Sequence, residues 1–254
     1  MTDLYNMASM AAGYATARPP VHPLIISLVR DDLRISAPLA RGLDVGCGAG
    51  LSTRALQLIA PDCVGVDPSE TMIKCCAAVA PGASFLVGRA ESLPIPSGSV
   101  DIMTAAGSLN YANLELFFAE AGRVLTASGV VVIYDFSPGR SFRGSTDLDA
   151  WFSEFMRRYP PPTGFGKEIG PESLRACGPG LRLSLHREFE VGLKMAPAAY
   201  VNYVLTETNA ACAVQNGVAE AEIRAWCEAT LAPVFGAGPR EVLFRGYIAY
   251  LVRS

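Results

Sequence analysis

The chain predicts an α/β fold, a three-layer sandwich built on a mostly parallel sheet. Three observations predict it. Short apolar runs alternate with amphipathic helical stretches from residue 23 to residue 135, the pattern of parallel strands joined by crossover helices. A glycine-rich turn, Gly46-Cys47-Gly48-Ala49-Gly50, follows the first apolar strand directly. An acid, Asp67, ends the second strand seventeen residues after Gly50, where open α/β sheets hold ligands beyond the carboxyl ends of their strands.

The elements follow in order. Residues 23–33 have helical periodicity, with Leu24, Ile25, Leu28 and Val29 on one face. A first strand is expected over 42–46 and a crossover helix over 52–59. The second strand is Cys63–Asp67, and Ser69 is placed to cap a helix running to Val79. Strand three is Ser84–Val87. Strand four spans 100–105, after a turn region marked by Pro94, Pro96 and Gly98. A helix over 114–125 then leads through a turn at Ser128-Gly129 to strand five over 130–135.

Beyond Asp135 the pattern changes. An aromatic-rich amphipathic helix is expected over 147–159, before Pro160-Pro161-Pro162. An alternating strand follows over 181–193, then helices over 198–209 and 219–232, and a closing apolar strand over 242–252. The late strands read as the antiparallel end of the sheet. The expected organisation is one domain over 1–254. It comprises N-terminal lid helices over 1–35, a ligand-binding core over 39–137, and substrate-cap insertions over 138–180 and 196–236.

Composition narrows the function. Half of the 254 residues are apolar and 18% are charged, enough to bury a sizeable core. No apolar run reaches membrane-spanning length. The N-terminal Met-Thr-Asp-Leu-Tyr-Asn lacks a basic stretch followed by an apolar one, so no secretory signal is expected. A net charge of −3 with no Lys/Arg run argues against nucleic acid as a partner. Seven cysteines without a C-x-x-C pair read as reduced thiols of a cytoplasmic protein. The expected partner is a small-molecule substrate, with no membrane and no metal, on a monomer or homodimer.

The glycine loop carries the chemistry. Its spacing is G-x-G-x-G, with Leu at position 51 and the acid Asp44 two residues before Gly46. A dinucleotide fingerprint reads G-x-G-x-x-G and sets a pyrophosphate on a helix N-terminus, where an adjacent anion would repel it. An ammonium or a sulfonium is attracted by the same anion. The pattern therefore points to S-adenosylmethionine rather than NAD, with Asp67 accepting from the ribose hydroxyls.

Four blocks carry a family resemblance: residues 43–50, 64–73 (VGVDPSETMI), 88–101 (GRAESLPIPSGSVD) and 121–136 (AGRVLTASGVVVIYDF). The chain resembles the class I S-adenosylmethionine-dependent methyltransferases, in particular the small-molecule branch of ubiquinone/menaquinone C-methyltransferases, over about residues 10–137. The resemblance implies a Rossmann-like three-layer sandwich whose mostly parallel seven-stranded sheet ends in an antiparallel strand, with helical cap insertions. It implies methyl transfer to a small, partly apolar metabolite, O- or C-methylation first.

The resemblance also implies a cofactor site of Asp44, Gly46, Gly48, Gly50, Asp67, Pro68, Met72, Ala90, Glu91, Ala106 and Ser108. Tyr14 and Arg18 match the family's lid segment, Tyr14 over the sulfonium and Arg18 toward the ligand carboxylate. Asn110 and Tyr111 stand where relatives face substrate. Tyr111 and His22 are the candidate catalytic groups, and Asp135 is either a site acid or a structural one. Trp151, Phe155, Tyr200 and Tyr203 are expected to line the substrate cavity, with Arg140 and Arg143 at its rim as carboxylate receptors or solvated cations. Rival readings are an adenosyl-binding protein without turnover, a nicotinamide enzyme, and a protein or RNA methyltransferase.

Overall fold

The computed structural model describes residues 16–161, 169–178 and 180–254. The chain forms two compact units. The first, here the sheet unit, comprises residues 22–136, 166–189 and 246–254; the second, here the aromatic unit, comprises residues 1–21, 137–165 and 190–245.

In the sheet unit, α1 (Val21–Asp32) precedes β1 (Gly42–Val45), α2 (Leu51–Leu56), β2 (Cys63–Asp67), α3 (Glu70–Val79) and β3 (Ser84–Val87). Then come β4 (Val100–Ala106), a 3-10 turn (Leu109–Tyr111), α4 (Leu114–Val124) and β5 (Leu125–Phe136). Short side-chain caps start the helices where the sequence expects them. Ser69 Oγ accepts from the Met72 amide (3.3 Å) at α3, and Asn113 Oδ1 accepts from the Leu116 amide (3.2 Å) at α4.

The strand order is β3-β2-β1-β4-β5-β8, with β8 (Arg240–Arg253) antiparallel to β5 and the earlier pairs parallel. β7 (Leu181–Met195) also pairs β8. Register decides what meets at the strand ends: Asp44 of β1 stands beside Gly65 of β2 and Thr104 of β4. The core beneath is aliphatic and aromatic, including Leu43, Val66, Met103, Phe117, Val131 and Leu251, each at most 1% exposed.

Three departures from expectation have physical causes. β5 begins directly at Leu125 with no turn at Ser128-Gly129. Gly129 serves close approach instead, since a Cβ there would lie 2.8 Å from the Val100 carbonyl oxygen. The helix expected over 198–209 is two helices, α7 (Pro197–Val204) and α8 (Thr208–Gln215). Between them Thr206 Oγ1 donates to the Tyr203 carbonyl (2.7 Å), a side-chain substitute for the next helical bond. The two-residue β6 (Ser141–Phe142), antiparallel to β8, and the short α6 (Pro171–Arg175) are elements the sequence did not announce. With β6 the sheet counts eight strands rather than seven.

The aromatic unit holds α5 (Asp147–Arg158), α7, α8 and α9 (Glu220–Phe235). Its interior is built from rings. Trp151 stacks on Phe155 at 5.5 Å and 15° and lies 5.6 Å from Trp226, and Tyr200 meets Trp151 edge-on at 6.0 Å.

Candidate functional site

Glycine geometry shapes the loop after β1. Gly46, Gly48 and Gly50 all have positive φ (70°, 52° and 95°), a region costly for side chains. At Gly46 a Cβ would meet Ser108 Cβ at 2.2 Å, so the ends of β1 and β4 could not close together with any other residue. Ser108 Oγ in turn donates to the Val45 carbonyl at 2.7 Å. Gly48 differs, because a Cβ there would face open space. The loop thus turns tightly at Gly46 and leaves room over Gly48.

Asp67 binds this loop to the end of β2. Its Oδ2 accepts from the Gly48 amide (2.9 Å) and its Oδ1 from the Ser69 amide (2.8 Å). Each carboxylate oxygen keeps a second lone pair, so two vicinal hydroxyls can still be received. The Cys76 thiol of α3 adds a tie by donating to the Gly48 carbonyl at 3.1 Å. Met72, on the same helix, is 3% exposed and Pro68 is exposed.

Asp44 is wholly buried. Its Oδ2 accepts from Ser52 Oγ (2.6 Å) and Thr53 Oγ1 (2.7 Å), and its Oδ1 from Thr104 Oγ1 (2.8 Å). These hydroxyls tie β1 to the start of α2 and to β4. A third acid lies on β5, two strands from β1. Asp135, near the end of β5, accepts from the Phe136 amide at 2.8 Å and from Asn110 Nδ2 at 3.4 Å. A Cβ on Gly107 (φ 61°) would lie 3.0 Å from Asp135 Oδ1.

Burial pushes the pKa of all three carboxyls above the ordinary aspartate value, and the hydroxyl and amide donors pull only partway back. No lysine, arginine or histidine contributes to any of the three shifts, and Asp67 adds to that of Asp44 by repulsion. The strand ends β2, β1, β4 and β5 are neighbours at about 4.8 Å spacing.

The remaining predicted residues fall as follows. Glu91 lies beyond β3; its Oε1 accepts from the Asn113 amide (2.9 Å), and its Oε2 is 3.5 Å from Arg89. Burial raises its pKa, but the Asn113 amide, its own amide and Arg89 together bring it below the usual value. Ala90 and Ala106 are half-buried beside β3 and at the end of β4. Tyr111 ends the 3-10 turn and is 44% exposed. His22 Nδ1 shares a 2.9 Å hydrogen bond with the buried Tyr134 hydroxyl and stands edge-on to Phe136.

Arg18 belongs to the aromatic unit, where its guanidinium pairs with Glu207 (2.9 Å) and donates to the Thr206 carbonyl (3.0 Å). Tyr14 lies outside the described residues. Trp151, Phe155, Tyr200 and Tyr203 come together inside the aromatic unit, none more than 6% exposed. Trp151 Nε1 donates to Thr230 Oγ1 (2.8 Å), and the Tyr200 hydroxyl to the Gly139 carbonyl (2.6 Å). Among the described residues no group of three His, Cys, Asp or Glu could hold a metal ion, and no helix is long and apolar enough to cross a membrane.

A methyltransferase-domain family model matches residues 43–133. A ubiquinone biosynthesis O-methyltransferase of Mesorhizobium japonicum is 26% identical over 65% of this chain and 74% of its own. A ubiquinone/menaquinone biosynthesis C-methyltransferase of Methylobacterium nodulans is 32% identical over 51% and 63%. The chain spans about half the length (49%) of other curated relatives it matches. Among solved structures, a candidate type II methyltransferase from Anaeromyxobacter dehalogenans superposes with a TM-score of 0.67 at 21% identity, covering 90% of this chain and 95% of that one. That likeness concerns the fold.

Proposed function

We propose that this chain, whose residues 43–133 match a methyltransferase-domain family model, is a class I S-adenosylmethionine-dependent methyltransferase that transfers a methyl group to a small, partly apolar metabolite, at oxygen or carbon. The observation that carries the reading is the glycine loop, open over Gly48 and held to the strand-end Asp67, with the buried Asp44 and the half-buried Asp135 on neighbouring strands, none of the three paired with a cation among the described residues. A ligand bearing a sulfonium and an ammonium supplies the missing positive charge, whereas a pyrophosphate would be repelled along the same edge.

When bound, S-adenosylmethionine supplies an electrophilic methyl on a sulfur that leaves as a neutral thioether. The chain's own task is positioning and water exclusion. Asp67 receives the two ribose hydroxyls on its free lone pairs while its amide bonds hold the loop. Met72 and Pro68 flank the base, and Ala90 and Glu91 bound its outer edge. Gly46, Gly48, Ala106 and Ser108 present backbone along the amino-acid portion. Asp44 acts through its field and by fixing the start of α2. For an acceptor that must lose a proton, Asp135 is the better-placed base, ahead of Tyr111 and His22. Its carboxylate ends β5, Asn110 orients it, and its raised pKa suits proton acceptance nearer neutrality than an ordinary aspartate allows.

The test is transfer of labelled methyl from S-adenosylmethionine to a panel of small phenols and enolisable carbonyl compounds. Label should appear in product with the native chain and not with Asp67→Ala. Tight binding with no transfer to any acceptor would favour a binding protein without turnover.

A further inference from the structure

His22 stands at the ligand end of the sheet. It is the second residue of α1 and half-buried, its ring edge-on to Tyr134 (5.8 Å) and to Phe136 (5.4 Å), the last residue of β5. Strand register shows what lies beside it. Asp44, Thr104 and Val132 are level with one another, and two residues further on Ala106 is level with Tyr134. Residues in register on parallel strands, and those two apart, share a face. Asp44, Ala106 and Tyr134 therefore point to the same side of the sheet. Burial first, and then the Asp44 charge, push the Tyr134 phenol well above its ordinary range.

The bond between the two rings fixes the histidine tautomer. The Tyr134 hydroxyl is wholly buried, and its only hydrogen bond among the described residues is to His22 Nδ1 at 2.9 Å. A buried O–H left without an acceptor is costly, so the phenol donates and Nδ1 accepts. The ring proton then lies on Nε2. In this tautomer Nε2 is a donor and not a base.

We propose that His22 Nε2–H donates to the carboxylate of the S-adenosylmethionine amino-acid portion, and that Tyr134 is the positioning residue that holds this donor. The assignment rests on the methyltransferase reading. Asp44 attracts the ligand's ammonium on this face and repels its carboxylate, which needs a donor farther along the strand ends. His22, over β5 and two strands from β1, is such a donor. Between them β4 ends in the half-buried Ala106, a side chain low enough for the ligand to cross. Arg18, the residue that the lid resemblance assigns to the carboxylate, is engaged by Glu207 at 2.9 Å and by the Thr206 carbonyl at 3.0 Å.

The experiment titrates the full chain by calorimetry with S-adenosylhomocysteine and with its decarboxylated analogue, which keeps the amine and lacks only the carboxylate. The native chain should hold S-adenosylhomocysteine about tenfold or more tighter. His22→Phe keeps the ring contacts and removes the donor, so the preference should vanish while the analogue binds as before. His22→Gln, whose amide can accept from Tyr134 and still donate, should keep most of the preference. Tyr134→Phe should reduce it partway, because the proton is then shared between Nε2 and Nδ1. A merely structural pair would shift both ligands alike. A native chain indifferent to the carboxylate, an undiminished preference in His22→Phe, or equal loss of both ligands in both His22 variants would overturn the assignment. Silence from both ligands with the native chain would instead defeat the methyltransferase reading, and the assignment with it.

Discussion

The sheet unit and the aromatic unit satisfy their buried carboxyl groups differently. In the sheet unit Asp44, Asp67 and Asp135 are satisfied by hydroxyls and amides and by no cation. In the aromatic unit the half-buried Arg18 instead pairs with the buried Glu207 at 2.9 Å. A protein built for stability alone has no reason to bury carboxyls such as Asp44 and Asp67 without a cation. The difference fits the cationic ligand proposed for the strand ends of the sheet unit.

Substitutions can break this contrast, from large effects to small. Asp67→Ala removes both the ribose acceptor and the bonds that hold the loop. At roughly 1.5–3 kcal/mol per charged hydrogen bond, S-adenosylhomocysteine affinity should fall well over tenfold by calorimetry, while circular dichroism stays native. Gly46→Ala drives a methyl group into Ser108 and should cost about 2–4 kcal/mol in denaturant unfolding. Gly48→Ala, with open space above it, should cost only the backbone strain of about 1–2 kcal/mol. Equal penalties at the two positions would contradict the geometry of the loop. Thr230→Val leaves the Trp151 indole N–H without its acceptor in the aromatic unit, a loss of about 1–2 kcal/mol that should not change adenosyl affinity.

The acids also set a pH dependence. Burial raises the pKa of each above the ordinary aspartate value, so ionising them costs stability. That cost is fully present above the raised pKa and is relieved as pH falls through it. A bound sulfonium favours the ionised form and lowers the pKa again, so binding releases protons. Affinity for S-adenosylmethionine should therefore fall with decreasing pH, beginning above the ordinary aspartate range. Calorimetry in buffers of different ionisation enthalpy measures the protons released; uptake instead of release would refute the assignment.

How much was legible follows the same division. Gly46, Gly48 and Gly50, the strand-end Asp67 and the Ser69 cap are local backbone requirements, and short spacings record such requirements in the sequence. The strands over 42–45, 63–67 and 84–87 were readable for the same reason. Asp44 was legible as an acid but not as the acceptor of Ser52, Thr53 and Thr104, because that bonding depends on the β1–β4 register. The aromatic unit is tertiary throughout. Trp151 and Phe155 have helical spacing whether they line a cavity or fill a core, and only their stacking with Trp226 decides. Likewise nothing local distinguishes Arg140 from Arg143; Glu241, ninety-eight residues from Arg143, makes the difference.

The most direct test of the central claim is a calorimetric titration of the whole chain with S-adenosylmethionine, S-adenosylhomocysteine and NAD side by side. The account predicts binding of both adenosyl ligands, stronger proton release with the cationic S-adenosylmethionine, and no response to NAD. Binding of NAD, or silence from both adenosyl ligands, would mean that Asp67 and the glycine loop serve another ligand.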